Sequence, residues 1–216
     1  MNYDITNNKA VVCGEIGSEL VFSHEMFGEK FYEFNLKVSR LSDSFDIIPI
    51  TVSERLLEDR SLQMGDTIKI NGQFRSYNKL ENEKSKLMLT MFLREFLDNT
   101  TDSETVNQIE IVGYVCKDPI YRTTPFNREI CDVLLAVNRN YGKSDYIPCI
   151  AWGRNARFVK DFNVGEKIKV LGRIQSREYQ KKLEDEVVTR TAYEVSLSRI
   201  SKLSDEQFEQ TNMAIN

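Results

Sequence analysis

Ile109, Ile111, Gly113 and Val115 fall on alternate positions with Glu110, Val112 and Tyr114 between them, the period of two that marks a strand. The same period predicts a second strand over about 128–139, with Val133, Leu135 and Val137 on one face and the turn Pro125-Phe126-Asn127-Arg128 before it. Residues 140–144 read as a loop and 146–152 as a third strand, ended by Gly153. Ala156, Val159 and Phe162, with Phe158 alongside, have helical spacing, which predicts a helix of about ten residues closed by Asn163-Val164-Gly165. A fourth strand is expected over 167–174 and a fifth over 187–200, with a charged loop, 176–186, between them.

The pattern is written twice. Residues 8–97 reappear 99 or 100 positions later as 107–200. Gly14 matches Gly113, Phe27 matches Phe126, Val38-Ser39-Arg40 matches Val137-Asn138-Arg139, and Ile48-Pro49 matches Ile147-Pro148. After a one-residue shift between Arg55 and Gly65, the run from Gly65 to Gly72 matches that from Gly165 to Gly172. Three strands, a short helix and two strands, with no long strand-helix-strand crossover, is the chain order of the OB barrel. The expected fold is therefore all-β: two tandem five-stranded OB barrels, each with a short helix between strands 3 and 4. The expected division is 1–97, a polar linker over 98–105, 106–203, and a short tail over 204–216.

A length of 216 residues suits two such domains of roughly 95 residues. No apolar run approaches the ~20 residues of a membrane helix, and the start Met1-Asn2-Tyr3-Asp4 lacks the layout of a signal peptide, so a cytoplasmic protein is expected. Cys13, Cys116, Cys131 and Cys149 share no paired spacing and none recurs in the sister copy, which argues for reduced thiols over a disulfide or zinc framework. His24 is the only histidine and no phosphate-binding glycine loop is present, so neither a catalytic site nor a cofactor or metal is expected. The net charge of -4 disfavours a polyanion partner until it is divided. Residues 1–105 hold 12 basic against 18 acidic side chains, whereas 106–203 hold 17 against 12. Only the second copy has the charge a polyanion would attract.

The third strand separates the copies further. In the second copy Ile147, Cys149 and Ala151 form one face, and Tyr146, Pro148, Ile150 and Trp152 the other. A barrel wall needs one apolar face, so the other must meet a subunit, a covering loop or the bases of a nucleic acid. The first copy keeps the core face as Ile48, Ile50 and Val52, but its other face reads Ile47, Pro49, Thr51 and Ser53, without a ring. Tyr141 likewise stands opposite Ser42, and Tyr179 opposite Lys79, although Tyr77 lies two positions away. Arg139, Lys143, Arg154, Arg157, Arg173, Arg177, Lys181 and Lys182 are interleaved with these rings. Aromatic platforms set among phosphate-neutralising side chains suit single-stranded nucleic acid, whose unpaired bases expose flat faces. A strand tryptophan is also commonly a core residue or a protein-interface anchor. The rival reading is accordingly a primosome-like or scaffold OB protein whose aromatic face binds a protein.

The second copy resembles the DNA-binding domain of bacterial single-stranded DNA-binding proteins. The resemblance is carried by Ile109-Glu110-Ile111-Val112-Gly113-Tyr114-Val115, Asp118-Pro119 with Arg122 and Pro125, Leu135-Ala136-Val137-Asn138-Arg139, Cys149-Ile150-Ala151-Trp152, Gly172-Arg173-Ile174-Gln175-Ser176-Arg177 and Tyr179. It implies sequence-tolerant binding and protection of single-stranded DNA in replication, recombination or repair, by a nucleoid-associated protein without enzymatic activity. It assigns base stacking to Tyr141, Tyr146, Trp152 and Tyr179, which with Arg122, Arg139, Lys143, Arg154, Arg173 and Arg177 make the expected contact set. It also implies assemblies of four OB domains, which two chains of this kind would supply as a homodimer, with Phe22, Phe31, Phe45 and Phe92 of the first copy as contact candidates. Residues 205–216 are short and mildly acidic beside the family's usual C-terminal tip, so replication proteins stay partner candidates without the usual acidic tip to recruit them.

Overall fold

The alternating runs fold as strands in the computed structural model, which describes residues 7–81, 84–98, 107–182 and 187–203. The first repeat comprises β1 (Asn8–Ile16), β2 (Val21–Met26), β3 (Glu29–Ser39), β4 (Phe45–Ser53), β5 (Thr67–Glu81) and β6 (Lys84–Leu97). β1 lies antiparallel to both β3 and β5, β5 to β6 and β3 to β4, while β4 and β6 run parallel at Ile50↔Met91. These pairings close a ring of five strands, β1-β3-β4-β6-β5, with β2 added as an edge on β3. Closure leaves no open barrel edge and turns one side of each strand inward.

The second repeat has the same order: β7 (Asn107–Val115), β8 (Ile120–Thr123), β9 (Glu129–Asn138), β10 (Ser144–Trp152), α1 (Arg154–Val159), β11 (Lys167–Lys182) and β12 (Val187–Lys202). Its ring is β7-β9-β10-β12-β11, again with one parallel pair, β10 with β12 at Cys149↔Val195. By contact, Lys9–Ile109 and Ile174–Glu194 form one compact unit, so the outer part of the β11–β12 hairpin goes with the first repeat. Glu110–Arg173 forms the other, with the described residues of Met1–Asn8 and Val195–Asn216. Most of the linker, 99–105, and the whole tail, 204–216, lie outside the described residues.

The inward positions are those the period predicts. Val12, Leu36, Val38, Ile48, Ile50, Val52, Ile70 and Phe74 are fully buried in the first unit, and Ile111, Leu135, Ile147, Ala151, Ile168, Val170 and Val195 in the second. Each large side chain of this kind contributes about 1.5–3 kcal/mol by leaving water. The repeated Gly72 and Gly172 have a packing cause, since a Cβ at either would stand 2.3 Å from a neighbouring carbonyl oxygen, that of Phe92 or of Ser196. All four cysteines are free thiols. Burial raises the Cys131 thiol to about 11, with the Asp132 carboxylate adding to it.

Three local expectations need correction. Only the second repeat has an α-helix between strands 3 and 4; in the first that place is taken by a single 3-10 turn, Glu54–Leu56. Ala156 and Val159 dock on the barrel, with Phe162 buried just beyond, whereas Leu56 and Leu57 have no apolar partner three or four positions on. The charged segment 176–182 is strand and not loop, because β11 continues through it as one side of a hairpin arm. With no face in a barrel, its polar sequence shows no alternation to read. The short strands β2 and β8 were unforeseen for the same reason; all four residues of β8 are exposed. Among the described residues no helix is long and apolar enough to cross a membrane.

Candidate nucleic-acid interface

Register places the predicted rings. β10 pairs with β9 at Tyr146↔Ala136, Pro148↔Leu134, Ile150↔Asp132 and Trp152↔Ile130, and β9 with β8 at Asp132↔Ile120 and Ile130↔Arg122. Residues directly opposite share a face, so Tyr146, Trp152 and Arg122 all stand on the outer face of this three-stranded wall. Tyr146 is 46% exposed and Trp152 40%, six residues or roughly 20 Å apart along the strand. Ile147, Cys149 and Ala151 point into the core as predicted. Ile150, expected on the open apolar face, is instead buried, flanked in register by Asp132 and Ser196. The outer wall therefore offers two separated rings and not a continuous greasy strip.

The basic residues divide by partner. Arg122 donates to Asp132 from Nε (2.9 Å) and Nη2 (3.3 Å), with half of its side chain exposed. An ion pair this exposed is worth about 0–1 kcal/mol, so exchanging the carboxylate for a phosphate costs little. Arg157 is similarly paired with Glu129 at 2.6 Å. Lys143 and Arg154 are exposed, the latter opening α1, and Arg173 is half-buried on β11. Arg139 is different. Its Nε lies 3.1 Å from Oδ2 of Asp145, a carboxylate only 1% exposed. The first repeat has the same pair in Arg40 and Asp46, at the same spacing. The pair shared by both barrels neutralises a buried carboxylate in each.

The remaining predicted contacts lie elsewhere. Tyr141 falls in the turn Asn140–Gly142, with its side chain outside the described set, as are those of Lys181 and Lys182. Arg177 and Tyr179 lie on the hairpin arm, within the unit that contains the first repeat. They share an exposed side of the strand, with the guanidinium 5.9 Å from the ring centroid. The structure thus groups Arg122, Tyr146 and Trp152 on one wall and Arg177 with Tyr179 on another element.

The wall of the first repeat carries rings after all, on strands the alignment of third strands leaves out. Phe31 on β3 is buried beneath His24, stacked at 4.9 Å, and lies 5.8 Å from Phe92 on β6. The Arg75 guanidinium stands 4.0 Å over the Phe92 ring. Both rings thus carry side chains of their own repeat on a π-face, which restricts base stacking there. Thr51 and Ser53, on the ringless outer face of the third strand, are buried too, hydrogen-bonded to Thr90 and Glu29 respectively. The signal available in the sequence was Phe92 between Arg75 and Arg94, legible only once β5 and β6 are paired.

The model of the single-strand binding protein family matches residues 106–203. Over 82 residues the chain is 37% identical to single-stranded DNA-binding protein 1 of Staphylococcus aureus (strain COL), covering 35% of this chain and 49% of that protein. It is 35% identical to single-stranded DNA-binding protein A of Bacillus subtilis (strain 168) over the same length, 48% of that protein. The chain thus spans about half the length of the curated relatives it matches. Among solved structures, a deletion mutant of the Thermus aquaticus single-stranded DNA binding protein superposes with a TM-score of 0.69 at 18% identity, covering 92% of this chain and 95% of that one. The wild-type Thermus aquaticus protein gives 0.66 over 91% and 93%. That likeness extends over both repeats and establishes the fold. The second repeat, residues 106–203, thus matches the single-strand binding protein family, and the two-repeat fold is that of the Thermus aquaticus protein.

Proposed function

We propose that this chain binds single-stranded DNA without catalysis and with little sequence preference, chiefly through its second repeat. The observation that carries the reading is the pair of exposed rings, Tyr146 and Trp152, on one barrel wall with Arg122. Bases stack on such rings whatever their identity, while Arg122, Lys143, Arg154 and Arg173 track phosphates. Duplex reading would need a helix or ribbon for the major groove, and the only α-helix among the described residues is six residues long. The domain division follows the repeats, with 1–97 structural and 106–203 binding. The setting is the cytoplasm, at the nucleoid, during replication, recombination or repair.

Titration with an oligothymidylate tests this directly, because Trp152 is the only tryptophan. Stacking on it quenches its fluorescence, and affinity falls with salt at a log–log slope of about -0.7 per phosphate contacted. Preference for duplex, or an unquenched tryptophan at saturating oligonucleotide, would count against the reading and favour a protein-binding OB module.

The family resemblance and the exposed Phe22 (55%) and Phe45 (49%) of the first repeat support a homodimer with four barrels. Phe31 is excluded from that contact because it is buried within its own repeat. Light scattering at micromolar concentration is expected to give about twice the 25.1 kDa chain mass; a monomer mass removes the dimer.

A further inference from the structure

Ser176, at the base of the hairpin arm, is gripped at three points by the first repeat, inside the unit that holds both. Its backbone N–H donates to Oδ1 of Asp46 at 2.7 Å. Its carbonyl accepts from Nη2 of Arg40 at 2.9 Å, and its Oγ accepts from the Ile47 N–H at 2.9 Å. Asp46 is 1% exposed and is itself paired with Arg40, so the acceptor is fixed before the arm arrives. Just inward, Asn107 closes a reciprocal pair with the backbone of Ile174, donating from Nδ2 to its carbonyl at 2.7 Å and accepting its N–H at 2.9 Å. Gln175 donates to Glu194 across the hairpin at 2.7 Å, both nearly buried. Beyond these contacts the arm turns polar and exposed, and the next residues on its open side are Arg177 and Tyr179.

Two antiparallel strands without a core are marginally stable alone, and a loose arm loses conformational entropy when a ligand orders it. Resting on the single-strand reading above, the geometry points to Asp46, with Arg40 and the Ile47 N–H, as a positioning site for single-strand binding. It holds Ser176 so that the Arg177 guanidinium and the Tyr179 ring are presented to the strand already ordered. The first repeat then contributes to binding by fixing an arm that belongs by sequence to the second.

The test uses full-length chains and an oligothymidylate, with Trp152 quenching as the readout because that ring lies outside the arm. Tyr179→Ala alone is expected to weaken binding about tenfold, the scale of one lost stacking contact. Ser176→Ala is expected to weaken it several-fold, and Ser176→Thr, which keeps the hydroxyl, to restore it. The deciding measurement is the double variant. In the Ser176→Ala background, which loses the Oγ contacts to the Ile47 N–H and Asp46 but keeps the two backbone ones, Tyr179→Ala should cost clearly less than in the wild-type background, since a ring less firmly positioned has less to lose. Equal cost of Tyr179→Ala in both backgrounds overturns the proposal, as does a Tyr179→Ala chain that binds like wild type. Asp46→Asn, which keeps the shape and loses the charge, should reproduce the Ser176→Ala result. A wild-type chain whose tryptophan is never quenched overturns the single-strand reading itself, and this inference with it.

Discussion

Replacing Trp152 or Tyr146 by alanine should each reduce affinity for single-stranded DNA by about 5- to 150-fold, the equivalent of 1–3 kcal/mol per lost base stack. The melting temperature should hardly move. Both rings project from the outer side of β10, 40% and 46% exposed, while the core is filled by Ile147, Cys149 and Ala151 from the same strand. A ring inside the core would instead cost about 3–5 kcal/mol of folding free energy when cut to alanine, so the two roles separate cleanly by calorimetry. Tyr146→Ala can be followed by Trp152 quenching; Trp152→Ala needs a labelled oligonucleotide and anisotropy. Lys79→Ala, at the first-repeat position matching Tyr179, is the control and should stay within about twofold, as a single exposed charge contributes little. Thr51 and Ser53 are unsuitable controls, being buried and hydrogen-bonded. If both ring variants bind within twofold of wild type, the wall of β8, β9 and β10 is not the binding face.

The opposite outcome is expected at Arg139. Its removal leaves the Asp145 carboxylate, 1% exposed, without its guanidinium, and breaking a buried pair from one side costs about 3–5 kcal/mol. Arg139→Ala should therefore lower the melting temperature substantially, while the chain that remains folded keeps near wild-type affinity for single strands. Pairing the change with Asp145→Asn should recover part of the loss, because no buried charge is then left without compensation. A stable Arg139→Ala protein with weakened DNA binding and a shallower salt slope would return this residue to the phosphate contacts that its family position suggests.

The contrast between these two sites shows how the sequence is informative. The faces of β10 were legible because alternation is local: the side chain at each position points opposite to its neighbour whatever else the chain does. Arg139 reads as a DNA contact in the sequence because it is basic and lies beside rings in a run that resembles the family. Its partner sits six residues away across the turn between β9 and β10, at Ser144↔Asn138 and Asp145↔Val137. The clue is present in the repeat itself, since Arg139 and Asp145 recur as Arg40 and Asp46 in the copy whose third strand has no rings.

By itself the sequence determined two β-barrels in tandem, the order of their five barrel strands, their inward faces, and the third-strand rings and excess positive charge of the second, because periodicity and composition act over a few residues at a time. The tertiary structure decided which charges were already occupied, as with Asp145 holding Arg139, and which rings were covered, as with His24 over Phe31. It also decided that 176–182 is an ordered arm gripped at Ser176 by Asp46, 130 residues earlier in the chain. Such pairings depend on strand register and barrel closure, which bring together groups whose separation along the chain carries no local signal. A polar residue's own identity does not say whether its partner will be water, DNA or another side chain; only the packed neighbours do.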